Sequence, residues 1–493
     1  MMNSILRKAA RLGTAVLMLA GFLGMALMAN AGTRSYSAPR SAPSYHPPAS
    51  HAAPHVNSRP SSSHPNVNRP GPSFNRPGPS ANHPITPVSH PAAPKPTLAK
   101  GTNERHTISG STVRTRADGK PSDIHDAKRG MDVHHGLNGG RRVSAEDHNN
   151  NRTVYQKGRA GYVQHPYSYH GHDFAHRTYA FHGHVYDRSY MGYPYHGVYL
   201  NIYAPGYFYS PYYYGWAYYP WGEPVVYGWG FPGSPWYGYY GYYFSPFDSY
   251  PSASYWLTDY MISEDLQAGY NAHIEGGETD GEAPAVAGPP LLTPEVKQMI
   301  ADEVKKELSL EYSETNLTTK QQDLDPGSSG LDRLFYDASK GKPHILVVGS
   351  SLDVVDKTQT ECSLSDGDVL QLQAAPAADA AAADLVVLAS KGGKECQKQA
   401  TVSVPLADLQ EMQNHMRVMI DQGLQELQNK QGKDGLPAIP STVPEQPTQA
   451  PYAAVAPSPD LHAPAEIDQQ AGQADQADKD VTAEATQPSI PPQ

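Results

Sequence analysis

Turn-forming pairs punctuate the chain between about residues 105 and 164, and they predict short strands. Asp118-Gly119 and Asn138-Gly139 follow Thr112-Val113-Arg114-Thr115-Arg116 and Met131-Asp132-Val133-His134-His135. Such pairs supply the positive φ that tight hairpin turns require. With Thr153-Val154-Tyr155 after an Asn run, residues 105–166 are predicted to form a polar β-meander with a thin core. Further on, an aromatic-His-Gly element recurs at Tyr169-His170-Gly171, Phe181-His182-Gly183 and Tyr195-His196-Gly197. Residues 173–181 alternate as a strand, and His182-Gly183 reads as the turn into the next one.

Residues 167–272 form a Tyr/Trp/His-rich region of strands and irregular chain. Counting from Tyr155 to Tyr270, 28 of the 33 Tyr fall here, with all 5 Trp. Between residues 207 and 247, Pro and Gly interrupt every period, so regular elements are not expected there. A helix is expected over residues 252–272. An acidic linker, 273–290, leads to an amphipathic helix over 291–315, with Thr293 as N-cap, Pro294 at the first position and Val296, Ile300, Val304 and Leu308 along one stripe.

Residues 331–433 read as a small α+β module. Buried strands are expected at 345–348, 369–372, 385–388 and 401–404, with Asp366-Gly367 as a hairpin turn. A long helix from Pro405 to Lys430 lines up Leu406, Leu409, Met412, Met416, Ile420, Leu424 and Leu427. Cys362 and Cys396, the 2 cysteines of the chain, are expected to form a disulfide in an oxidising compartment.

The remaining segments lack any apolar period. Residues 1–31 read as a signal peptide: Arg7, Lys8 and Arg11, an apolar run over 12–28, then Ala29-Asn30-Ala31 before cleavage at Gly32. The expected location is the periplasm, the outer membrane surface or the outside of the cell. No later segment is long and apolar enough for a transmembrane helix. Residues 32–104 form a Pro/Ser/His/Arg-rich arm containing Asn68-Arg69-Pro70-Gly71-Pro72-Ser73 and its near-copy from Asn75, and residues 434–493 a Pro/Ala/Gln-rich tail. Both are predicted to be disordered. The expected class is thus mixed and largely disordered: a short-strand β-meander, a Tyr/Gly-rich irregular region and an α+β module with long amphipathic helices.

The run 161–256, with its Tyr-His-Gly elements, Phe174-Ala175-His176-Arg177-Thr178-Tyr179 and Tyr214-Gly215-Trp216-Ala217-Tyr218, resembles uncharacterised secreted bacterial proteins. The C-terminal module resembles them too, in residues 363–370, Asp408-Leu409-Gln410-Glu411-Met412 and Gln431-Gly432. That resemblance implies export and a modular build.

Charge divides the chain. Residues 32–165 carry 18 Lys/Arg against 7 Asp/Glu, and residues 261–493 carry 15 against 37, balances of +11 and −22. The basic part suggests contact with anionic cell-envelope polymers or an envelope protein. Arg is missing from the densest aromatic stretch, which argues against specific nucleic-acid binding. His170, His172, His176, His182 and His184 fall within fifteen residues, and imidazoles at that density suit Zn, Cu or Ni. Trp216, Trp221, Trp229 and Trp236 are candidate ligand-contact rings for a glycan, a membrane or a protein partner, with a self-packed aromatic core as the plainer reading. Nucleophile-elbow, P-loop, zincin, Cys-x-x-Cys and dinucleotide motifs are absent, so catalysis is not expected. The leading expectation is a non-enzymatic envelope protein acting through its basic arm and aromatic surface. The alternatives are a periplasmic metal-binding protein and a glycan-binding module.

Overall fold

The computed structural model describes residues 98–147, 151–276, 290–320, 322–439 and 446–486. The expected signal peptide and most of the basic arm lie outside the described residues. Ten strands come first: β1 (Asn103–His106), β2 (Thr112–Thr115), β3 (Pro121–Asp126), β4 (Met131–His135), β5 (Arg141–Glu146), β6 (Arg152–Gln156), β7 (Gly161–Tyr169), β8 (His172–Phe181), β9 (His184–Tyr195) and β10 (Val198–Ala204). They form one antiparallel sheet in strict chain order. The expected boundary at residue 166 falls inside β7, so the polar meander and the first aromatic strands are a single sheet.

The aromatic-His-Gly elements are its turns. His170, His182 and His196 have φ of 50°, 49° and 44°, and the glycines that follow have 83°, 78° and 84°. Two successive positive φ values define the turn whose twist matches paired strands, and His enters that region more readily than most residues.

Next come β11 (Tyr207–Phe208), α1 (Pro211–Tyr218), α2 (Pro235–Tyr240), α3 (Ala253–Glu275), α4 (Pro294–Thr319), α5 (Pro326–Ser329) and α6 (Leu331–Ser339). The stretch expected to be wholly irregular thus holds two short helices, each opened by a proline at its first turn. A second antiparallel sheet contains β12 (His344–Val347), β13 (Leu352–Asp356), β14 (Glu361–Leu364), β15 (Val369–Leu372), β16 (Ala382–Ala389) and β17 (Thr401–Pro405), in the order β12-β15-β16-β17-β13-β14. Asp366-Gly367 turns the chain between β14 and β15, yet these strands do not pair, so the expected hairpin is a crossover. Cys362 on β14 is bonded to Cys396 with an S–S distance of 2.09 Å.

Helix α7 (Leu406–Lys430) follows β17 directly. Its seven-residue apolar stripe is buried as the spacing requires, as are Val296, Ile300, Val304 and Leu308 of α4. The opposite, polar face of α7 closes the free edge of the first sheet. Tyr203 N–H donates to Asn414 Oδ1 at 2.8 Å, Asn414 Nδ2 donates to the Asn201 carbonyl at 2.7 Å, and Arg417 Nη1 donates to the Tyr203 carbonyl at 3.0 Å. An edge strand satisfied in this way cannot template another chain.

The tail is not wholly disordered. It supplies β18 (Thr448–Gln449), paired with β11, then α8 (Pro451–Ala454) and α9 (Ala463–Thr486). Ala463, Ile467, Gln470, Ala474, Ala477 and Val481 are buried against the first sheet, a stripe spaced alternately by four and three. Its acidic side meets basic strands: Asp480 pairs with Arg129 at 2.8 Å, Asp478 with Arg141 at 2.7 Å and with His135 at 3.2 Å. Part of the charge division seen in the sequence is therefore neutralised within the molecule. No helix among the described residues is long and apolar enough to cross a membrane.

Candidate functional site

The histidine cluster is dispersed by the hairpins that contain it. His172 pairs with Tyr169 at one end of β8, whereas His184 pairs with Phe181 at the other. At about 3.3 Å per residue the two imidazoles are separated by roughly 30 Å. His170 and His182 occupy turns at those opposite ends and pair with Asp323 at 2.7 Å and Glu275 at 3.0 Å. His176 is buried in mid-strand against Asp187 at 2.9 Å. Among the described residues no three His, Cys, Asp or Glu side chains come together in a group suited to a metal ion. A Zn, Cu or Ni site built from these five histidines therefore does not form here.

The four candidate tryptophans belong to the core. Trp221 and Trp236 are buried. Trp216 stacks on Tyr213 at 5.6 Å and Trp229 on Trp256 at 4.9 Å. Rings at these separations gain mutual contact as well as burial. The aromatic field is chiefly the shared core of α1, α2 and α3, with a rim of exposed tyrosines.

A different site emerges where β5–β9 face the first half of α7 and the loop 349–352. Alternation along the strands sends Val163 and Thr178 toward α9 and sends Tyr162, Gln164, Arg177 and Tyr179 the other way. Antiparallel register then builds two adjacent rows across the sheet. One is Val154, Tyr162, Tyr179 and Tyr186, and the other is Arg152, Gln164, Arg177 and Arg188. With the helix and loop opposite, the aromatic row and the Arg177–Arg188 end of the polar row line a cavity of about 420 Å³, a volume suited to small ligands.

Four guanidinium groups line it. Arg177 is fully buried; its Nε donates to Gln164 Oε1 at 2.8 Å and its Nη atoms to both oxygens of Glu411, at 3.1 and 2.8 Å. The Arg177 Cζ also lies 4.6 and 3.9 Å from the ring centres of Tyr162 and Tyr190. Burial opposes the Arg177 charge, but Glu411 and the surrounding phenol oxygens outweigh it and hold the group well above its ordinary value. Burial likewise pushes up the Glu411 carboxyl, and Arg177 reverses this, leaving it below its usual range. Arg159 pairs with Asp366, and Arg142 lies 3.5 Å from Asp408. Arg188 is different. It stands directly opposite Arg177 on the paired strand, and among the described residues no carboxylate is within ion-pair distance of it. Its Cζ lies 5.0 and 4.8 Å from the rings of Tyr179 and Tyr186. Burial keeps the Tyr179 hydroxyl well above its usual value, so that phenol stays neutral.

Across the cavity, His415 Nε2 is 2.7 Å from buried Asp265, and Gly349 lies so close to that imidazole that an added Cβ would fall 2.2 Å from its ring. Close packing of this glycine fixes the loop that forms the far wall. The arrangement can hold an anion against fixed guanidinium groups beside flat aromatic faces. Its signal was present in the sequence: in a two-residue hairpin centred on His182-Gly183, residues 177 and 188 must pair. No known family profile matches the chain, and no curated protein or solved structure is significantly similar to it.

Proposed function

We propose that this is an exported, non-enzymatic cell-envelope protein whose task is attachment, with the arginine–tyrosine cavity as its contact for anionic envelope polymer. The observation that carries this reading is Arg188, set opposite a second arginine on the paired strand and, among the described residues, left without a carboxylate. Glu411 satisfies Arg177, so the charge of Arg188 is the one left for an anionic ligand. The basic residues Arg7, Lys8 and Arg11, the apolar run over 12–28 and the Ala29-Asn30-Ala31 that follows it support the location. The test is co-sedimentation of the mature chain with isolated cell envelopes across a salt series. Sedimentation that declines as salt rises is expected, because ions screen such contacts. A chain that stays in solution at every salt concentration refutes the attachment role.

A glycan-binding role has its own support. Tyr212 and Tyr219 are 75% and 64% exposed and, with Trp216 and Tyr312, they line an open groove of about 750 Å³ between α1 and α4. Envelope polysaccharide stacked in this groove would change tryptophan fluorescence, and no change on saturation would remove this reading.

A further inference from the structure

We infer that the cavity between β5–β9 and α7 is a subsite for an acidic sugar unit, with Arg188 as the anion anchor and Tyr186 as the ring platform. This rests on the attachment reading above and narrows it to a ligand class. Every other guanidinium of the cavity has an internal partner: Arg177 holds Gln164 and Glu411, Arg159 holds Asp366, and Arg142 faces Asp408. Only the Arg188 fork remains to receive an outside oxyanion, and a planar fork of N–H donors matches a carboxylate or phosphate in two-point contact. Tyr179 and Tyr186 are stacked with ring centres 5.1 Å apart and planes 6° from parallel, and Arg188 lies over both rings. Tyr186 stays 38% exposed. A phenol ring exposed beside an anion anchor offers a flat face to the C–H side of a pyranose. On the opposite wall, Ser350 is exposed and Ser351 half-buried, and such hydroxyls both donate to and accept from sugar hydroxyls. Carboxylate and phosphate sugars share this chemistry, and the assay separates them.

A purely structural Arg188 and an anchoring Arg188 make different predictions. If Arg188 holds the sheet together, replacing it lowers the melting temperature of the ligand-free protein. If it is an anchor resting on Tyr179 and Tyr186, Arg188→Gln loses only those ring contacts, and the ligand-free melting temperature shifts by no more than about 2 °C. The experiment is calorimetric titration and thermal melting of the mature chain with glucuronate, glucose 6-phosphate, inorganic phosphate and glucose. Glucuronate or glucose 6-phosphate should bind and raise the melting temperature, and whichever binds more tightly identifies the anion. Glucose should do neither. In Arg188→Gln the affinity for the acidic sugar should fall at least tenfold. Tyr186→Ala should weaken acidic-sugar binding and leave inorganic phosphate unaffected. The inference is overturned if neither acidic sugar binds, if inorganic phosphate matches glucose 6-phosphate, or if Arg188→Gln melts several degrees below the parent. Envelope co-sedimentation of the parent separates the two levels. Attachment without acidic-sugar binding removes this inference alone, whereas acidic-sugar binding without attachment removes the envelope role alone.

Discussion

Replacing Arg417 by Met tests the most heavily charged part of the interior. Arg417 on α7 is fully buried, with Nη2 2.6 Å from Glu314 and Nε 4.0 Å from Glu307, while Nη1 donates to the Tyr203 carbonyl at 3.0 Å. Glu311 lies among the same groups, 0% exposed, with neither carboxyl oxygen hydrogen-bonded. Burial, reinforced by Asp421, drives the Glu311 carboxyl well above its usual range, and burial also raises Asp421. Even with Arg417 in place, then, these two acids resist ionisation. Removing the cation from a buried pair costs about 3–5 kcal/mol. For 366 described residues, with unfolding entropy near 2.1 cal/mol/K per residue, this lowers Tm by about 4–7 °C. An acid whose folded pKa is raised stabilises the fold below its unfolded pKa and loses that stabilisation as pH rises through the folded value. The parent should therefore melt at a higher temperature at pH 5 than at pH 8. In Arg417→Met the deficit should be largest at pH 8 and shrink at pH 5, where protonation replaces the missing cation. Melting followed by circular dichroism at both pH values checks this, and adding Glu314→Gln should recover part of the loss at pH 8. A variant that melts with the parent at pH 8, or whose deficit grows in acid, refutes the reasoning.

Other consequences can be measured on the same protein. Ile467→Ala removes a buried side chain from the seat of α9 and should cost about 2 kcal/mol, with hydrogen exchange accelerating in α9 more than elsewhere. Gly161→Ala should loosen the same helix, because the added carbon would lie 2.7 Å from both Ile467 Cγ2 and the Val154 carbonyl; unchanged exchange would contradict the packing described. Opening the disulfide with Cys362→Ser/Cys396→Ser should cost about 4 kcal/mol for a separation of 34 residues, read as a lower urea midpoint. His182→Val should cost roughly 1–2 kcal/mol, because a branched side chain resists the left-handed backbone there, whereas His182→Asn should be nearly neutral. Equal losses in the two would point to a role for the imidazole itself.

Elements whose cause is local were legible in the sequence. The His-Gly turns declare themselves because few pairs tolerate two positive φ values, and the stripes of α4 and α7 because Leu, Ile, Val and Met contrast sharply with their neighbours. Helix α9 escaped because half of its buried face is Ala and one of the rest is Gln470, a weaker apolar contrast with the surrounding Gln and Asp than Leu or Ile gives. Its placement depends on arginines more than 300 residues away in the chain. The boundary at residue 166 was drawn where composition changes, but hydrogen bonding along β7 is indifferent to whether the side chains are polar or aromatic. For the histidines, density in sequence suggested proximity, yet the strand that joins the two turns sets their imidazoles far apart. The cavity needed one more step: register within the hairpin puts Arg177 opposite Arg188, but only the return of α7 and the loop 349–352 makes a wall.

The strict chain order of β1–β10 bears on how the molecule assembles. Each strand finds its partners within a few residues, so hairpins can zip together one after another at little loop-closure cost. Completion is another matter. The free edge at β10 waits for Asn414, and the apolar face of β2–β5 waits for Ala474, Ala477 and Val481. A nascent chain thus carries an open sheet until residues 463–486 emerge, the interval in which such surfaces recruit chaperones or aggregate. Truncation at residue 462 should yield a sheet that forms quickly and stays adhesive, so the closing helix governs solubility during synthesis more than it governs the speed of folding.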